Sequence, residues 1–337
     1  MKMKPGILWT CGIFLLAALF AADIMTGSAG IPPGEVWKVL SGGGAEEQTR
    51  LIVTGIRLPK ALTALLAGAA VSVSGLLMQT LFRNPLAGPY VLGISSGASL
   101  GAALCVLGVS SSMAIRDSLL GSFGIAGAAW TGAAAVLLVI AAASRKIGDI
   151  TVILILGMML GAGIDAFVQI LQYLSDEQSL KAYIVWTMGS LGNVSGTRLC
   201  ILAAATACGT AATAVSSKSL DLMLLGESYA VTSGVDIRKT RMLVFLATVL
   251  LAGTVTAFCG PLGFVGLAVP HIARLLARTA GHKVLVPATA LCGGILMLGC
   301  DMIAKSTAIP INAVTSLCGV PVVVWVVMKN RKSWKQR

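Results

Sequence analysis

Charge is scarce in this chain. Of its 337 residues only 11% are Asp, Glu, Lys or Arg, with 13 acids against 25 bases and two histidines. A soluble domain carries roughly 25% charged residues, so there are too few here to cover a water-facing surface. Nucleotide and metalloprotease signatures are also missing: no G-x-x-x-x-G-K-[ST] loop and no H-E-x-x-H occurs. If transport is active, its fuel therefore comes from another chain or from an ion gradient. The eight cysteines, Cys11, Cys105, Cys200, Cys208, Cys259, Cys292, Cys300 and Cys318, include no C-x-x-C pair and lie in or beside apolar runs. They read as small buried apolar side chains, not as disulfides or metal ligands.

Apolar sequence is what the chain has in abundance. Hydrophobic residues make up 56% and the mean hydropathy is +0.90. About 20 helical residues cross a ~30 Å hydrocarbon core, and runs of that order recur throughout. The expectation is a single all-α polytopic membrane domain over 1–337 with about ten transmembrane helices. Their approximate bounds are 7–25, 61–81, 90–109, 121–143, 150–171, 199–215, 241–259, 263–277, 284–301 and 312–328. The first is expected to be an uncleaved span, since no small-x-small cleavage site follows it. The 39 glycines suit helices that approach closely in lipid.

Positive charge at the start (MKMK) and end (KNRKSWKQR) places both termini in the cytoplasm, which an even number of spans satisfies. Most of the remaining Lys and Arg then fall on the same side. Exceptions on the outer side include Arg57 and Lys60, one helical turn apart around Pro59, and Lys305 in DMIAKSTAIPIN. They either snorkel to lipid phosphates or form a basic rim that captures an acidic partner protein.

Three polar breaks interrupt the apolar pattern. Arg83-Asn84-Pro85-Leu86 separates the second and third spans, either as turn chemistry or as a pore constriction. Residues 216–240, SSKSLDLMLLGESYAVTSGVDIRKT, are long for a bundle connection. They predict a short helix from Glu227 to Ser233, with Glu227 at its positive end and Gly234 as the left-handed cap. Such a cytoplasmic helix is a natural plug for another protein's groove. In GPLGFVGLAVPHIARLL, Gly260, Pro261 and Gly263 predict a tight outer turn, and Pro270 is expected to interrupt the following span. His271 is expected to cap backbone groups freed by that proline.

Taken together, RLPKALTALLAGAAVSVSGLLMQTLFRNPLAGPYVLGISSGASLGA, LGESYAVTSG and GFVGLAVPHIARLL resemble the FecCD family of permeases, in order along nearly the whole chain. These are membrane subunits of type II ABC importers for ferric siderophores, haem and vitamin B12. The resemblance implies a multi-pass protein of the bacterial inner membrane with ten helices, paired with a second permease copy or a related permease. It implies two cytoplasmic ABC ATPase subunits that hold the ATP and Mg, an outer substrate-binding protein, and no cofactor on this chain. No nucleic acid partner is expected.

By the same matching Asn84, Pro85 and Leu86 form one cytoplasmic gate, with Asp149, Ile150 and Thr151 at a second. Leu225, Gly226, Glu227, Ala230 and Gly234 form the ATPase coupling motif, in which Ser233 replaces a usual leucine. Arg57, Lys60 and Lys305 match docking arginines, two of them lysine here, which loses the bidentate fork. Asp165, mid-span in LGAGIDAFVQIL, departs from the family pattern. An intramembrane carboxylate is costly, so Asp165 is a pathway candidate or a packing contact. The rival reading is a proton-coupled secondary transporter with Asp165 as carrier. Cargo is ranked as an iron complex first and cobalamin second.

Overall fold

The computed structural model describes residues 5–27, 29–108 and 124–334. The basic residues Lys2, Lys4, Arg116, Lys335 and Arg337, and the adjoining ends of the third and fourth expected spans, lie outside the described residues. Among the described residues fourteen helices follow in order: α1 (Pro5–Met25), α2 (Pro33–Leu40), α3 (Glu47–Leu81), α4 (Ile94–Val106), α5 (Gly124–Lys146), α6 (Ile150–Leu174), α7 (Glu177–Thr187), α8 (Gly196–Val215), α9 (Ser217–Leu224), α10 (Glu227–Thr232), α11 (Ile237–Cys259), α12 (Val265–Ala277), α13 (His282–Thr307) and α14 (Ile311–Trp334). No strand is present among the described residues.

Six helices, α3, α5, α6, α8, α11 and α13, are long and apolar enough to cross a membrane. Shorter apolar helices, Trp9–Met25, Ile94–Val106, Val265–Ala277 and Ile311–Val326, stand at the other expected positions. The third span is shorter than expected because Pro89–Leu92 forms a 3-10 turn and Gly93 turns left-handed at φ 73° before α4 begins. The expectation that Pro270 interrupts its span is corrected. The helix runs through it, with Val269, Pro270 and His271 all buried, so packing outweighs the one lost backbone bond.

Helix α3 is the hub, buried over most of its apolar window and packed on α13, α12, α8 and α11. Glycine allows this. A Cβ on Gly68 would strike the Gly293 carbonyl of α13, and one on Gly75 would strike Gly266 of α12. Helices α4 and α5 cross just as closely at Gly97, Gly101 and Gly132. Backbones this near gain dispersion contact and lose little side-chain entropy, which is how helices associate where lipid removes the hydrophobic drive. Helix α6 is different: it leans on α4, α5 and the 89–92 turn and leaves most of its surface uncovered. The cysteine expectation needs correcting. Cys259 and Cys300 are buried, but Cys11, Cys200 and Cys208 are exposed in this subunit.

Candidate functional site

The end of the bundle expected to face the cytoplasm gathers three of the motifs. The first loop leaves α3 through Phe82 and turns at Arg83, φ 46°. Asn84 N–H donates to the Gln79 carbonyl at 3.2 Å, and the Asn84 side chain accepts from Leu86 N–H at 2.9 Å. This is side-chain-to-backbone turn chemistry, which leaves Leu86 exposed at the surface. Three residues fix the loop from below. His271 Nε2–H donates to the Pro85 carbonyl at 2.8 Å, a bond that sets the tautomer because a carbonyl only accepts. Gln79, buried in α3, donates to the Leu267 carbonyl at 3.1 Å and accepts from Arg274. His271 therefore ties the loop to α12, instead of capping groups beside Pro270 as the sequence suggested.

The second loop joins α5 to α6. Asp149 Oδ1 accepts from Thr151 N–H at 2.7 Å and caps α6, while Ile150 is buried and Thr151 exposed. Beyond it, α6 packs through Gly157 on Leu92 and through Gly161 on Gly93 and Ser96. The turn that follows the first loop is thus seated on the helix that follows the second.

Residues 216–236 form the third part. Helix α9 buries Leu220 and Met223. Its Asp221 accepts from the backbone N–H of His282 at 2.8 Å and from its ring Nδ1–H at 2.6 Å. His282 is fully buried, and its Nε2 accepts from the Thr80 hydroxyl at 2.8 Å. One imidazole therefore joins α9, α13 and α3. Helix α10 runs from Glu227 to Thr232, one residue shorter than expected, with Ser233 as its C-cap. Its ending is the paired-bond glycine motif: Val235 N–H to the Ala230 carbonyl and Gly234 N–H to Val231, both at 2.9 Å, with Gly234 at φ 85°. Ala230 is buried, whereas Leu225, Tyr229 and Val231 are 66%, 53% and 58% exposed, an apolar surface with nothing of this chain upon it. Asp236 caps α11, and the Lys239 backbone N–H it accepts holds its carboxyl below the usual range.

Sequence reasoning did not single out Arg241. Only 6% exposed, its Nη2 donates to Glu227 Oε1 at 2.6 Å and to the Gly148 carbonyl at 2.8 Å. The signal available was an arginine set directly against an apolar run, where an ionisable group needs a partner. Glu227 does more than favour a helix terminus: its part-exposed carboxylate is paired with the buried Arg241.

At the opposite end the expectation of an exposed basic rim is corrected. Arg57 is 4% exposed and donates to the carbonyls of Ile24, Met25 and Ala29, so it caps the end of α1. Lys305 pairs with Asp23 at 2.8 Å and Asp301 at 2.9 Å, and Lys60 with Asp301 at 3.2 Å. Asp23 and Asp301, both essentially buried, were the unread partners. Of the three bases only Lys60 keeps about a quarter of its side chain, 24%, at the surface.

Asp165 stands apart. It is exposed on α6 and has no ion pair or hydrogen bond to it among the described residues. Tyr183 of α7 stands close enough to feel its charge. At 100° per residue, Thr151, Met158, Asp165, Gln169 and Gln172 share one face of α6. The opposite face carries Val152, Leu156, Gly163, Phe167 and Ile170. No group of three or more His, Cys, Asp and Glu suited to a metal occurs among the described residues.

The FecCD transport family matches residues 15–329. The chain is similar to HmuU, the hemin transport system permease of Yersinia pestis, at 34% identity over 98% of each chain. It is also similar to BtuC, the vitamin B12 import system permease of Klebsiella pneumoniae, at 33% identity over 96% of this chain and 94% of that one. Among solved structures, an inward-facing conformation of a candidate metal-chelate type ABC transporter superposes with TM-score 0.83 at 28% identity, covering 97% of this chain and all of the other.

Proposed function

The chain belongs to the FecCD transport family, and from that premise we propose that it is the multi-pass inner-membrane permease subunit of an ABC importer for haem, cobalamin or a ferric chelate. The fuller assembly pairs it with a second permease copy, two ABC ATPase subunits carrying ATP and Mg, and an outer substrate-binding protein. Both termini lie in the cytoplasm and about ten helices cross the membrane, with no cofactor on this chain. Helix α10 carries this reading most directly. A short, glycine-capped helix that exposes Leu225, Tyr229 and Val231 while burying Ala230 has the form of a plug for a partner's groove. Docking of the outer protein falls on Lys60 in this reading, because Arg57 and Lys305 are spent internally. A proton-driven transporter built on Asp165 is not favoured, since the family's members are ATP-powered importers.

In a two-fold pair each loop near the axis meets its own copy, so the 83–86 loop can close a path from both sides. In a cysteine-free background, Asn84→Cys is expected to cross-link to its partner copy in one nucleotide state and not the other, and the locked form to block uptake. The measurement is cross-link yield in the reconstituted complex with and without ATP. Absence of a cross-link in every state would put this loop away from the axis.

Asp165 is proposed to face the aqueous path, because a carboxylate turned to lipid with no partner is too costly to keep. Gln169→Cys, about one turn on along the same face, should then react with water-borne thiosulfonates. A cationic reagent should outpace an anionic one by about tenfold, the factor one nearby charge is worth, and Asp165→Asn should erase that preference. A cysteine at 169 that no aqueous reagent reaches would instead put this face against lipid or protein.

A further inference from the structure

Arg241 touches two structures that the family reading assigns to different tasks. One is Glu227, on the exposed α10 that seats in the ATPase. The other is the carbonyl of Gly148, one residue before the Asp149 that caps α6. Both are held by the same guanidinium nitrogen, at 2.6 Å and 2.8 Å. The side chain is almost wholly enclosed, and among the described residues its Nε has no hydrogen-bond partner, so the two Nη2 bonds are the polar contacts that orient it. Arg241 itself sits in the first turns of α11, whose Thr240, Val244 and Phe245 are buried, so its own backbone is anchored in the bundle.

We infer that Arg241 is the positioning residue that transmits movement of α10 to the loop opening α6, making Glu227–Arg241–Gly148 the link between ATPase contact and the second gate. The inference rests on the proposed importer role. The chemistry favours this residue type: a planar guanidinium is charged at every working pH and holds two acceptors in fixed directions, whereas a lysine ammonium is a single flexible point. A pull on Glu227 is therefore delivered to a peptide carbonyl adjoining the α6 cap. Helix α6 is a fitting receiver, because it has the least burial of the six long apolar helices and so the fewest contacts opposing its displacement. Its Gly157 and Gly161 rest on the 91–96 segment, which continues from the first loop, so displacement of α6 reaches both gates.

The test uses the complete reconstituted importer with its own ATPase subunits, binding protein and whichever cargo that binding protein retains. ATP hydrolysis and uptake are measured together, along with nucleotide-dependent labelling of Thr151→Cys. For Arg241→Gln, hydrolysis is expected to stay within about twofold of wild type while uptake per ATP falls by about tenfold or more, the equilibrium factor of one charge-assisted hydrogen bond. Labelling at 151 should lose its response to nucleotide. Arg241→Lys should fall between, since its shorter stem and freely rotating ammonium keep the charge but not the fixed directions to both acceptors. Glu227→Gln weakens the same link from its half-exposed end without emptying a buried site, and should also lower uptake per ATP. A purely structural arginine would lower protein yield, hydrolysis and uptake together and leave their ratio unchanged. That result, or a normal ratio with Thr151→Cys still responding to ATP in Arg241→Lys and Glu227→Gln, would overturn the inference. A wild-type complex that does not couple ATP to uptake would count against the importer role instead.

Discussion

A Gly234→Trp protein is expected to insert, fold and carry no cargo. The glycine sits at φ 85° in the ending of α10, and a Cβ there would meet nothing within 4 Å of its own chain. Inside the subunit the substitution therefore costs only the left-handed backbone penalty, about 1–2 kcal/mol, confined to a six-residue helix at the surface. The indole, by contrast, would stand in the space that an ATPase must fill. Interface centres tolerate such intrusions poorly, and a loss of about 2 kcal/mol or more is usual for a disrupted hot spot. Uptake in reconstituted vesicles should fall about a hundredfold, with protein yield and thermal stability near wild type. Gly234→Ala pays the same backbone penalty but adds only a methyl group, and should keep much of the activity. Wild-type uptake by the tryptophan variant would remove α10 from the ATPase contact.

The second large effect lies at the other end of the bundle. Lys305 neutralises Asp23 and Asp301 where all three are enclosed, and Lys60 shares Asp301. Replacing Lys305 by methionine leaves two carboxylates beside one lysine in low dielectric. Removing one partner of such a buried pair typically costs about 3–5 kcal/mol, because the charge left behind has lost its solvation and gained no substitute. Lys305→Met should therefore depress the unfolding temperature in detergent markedly. Adding Asp23→Asn should restore part of the loss, since the orphaned charge is then gone. Reversing Arg57, Lys60 and Lys305 together to glutamate should prevent assembly of the subunit altogether, so the triple variant reports on folding before it reports on docking. A triple variant that folds with normal thermal stability would show these side chains to be free for a partner after all.

The short α10 and its glycine ending were legible in residues 226–234, because a helix terminus is local chemistry: an acid at the start, a left-handed position at the end. The turn at Asn84 was legible for the same reason, whereas the cap at Asp149 emerged only in the structure. Arg57, Lys60 and Lys305 were read as outward because their positions along the chain put them at helix ends. The sequence carries no mark that Arg57 folds back onto the end of α1, that Asp23 meets Lys305 across 282 residues, or that Lys60 reaches Asp301. His271 was assigned to its neighbour Pro270, although its partner is Pro85, 186 residues away.

The sequence alone determined what followed from composition and from local chemistry. Scarce charge and recurrent apolar runs required helices in a membrane, since in lipid each backbone polar group must find its partner within the same segment. The order of three long motifs was enough to identify the family. Only the tertiary structure decided which polar groups pair. A buried charge is held by whatever partner the packing of distant helices brings within about 3 Å, and that partner is fixed by where α1, α3, α11 and α13 cross. Those crossings are set by glycine contacts such as Gly68 on Gly293, which no spacing along the chain announces. The Glu227–Arg241–Gly148 link is of this kind: each residue was visible in the sequence, and the contact between them exists only in the fold.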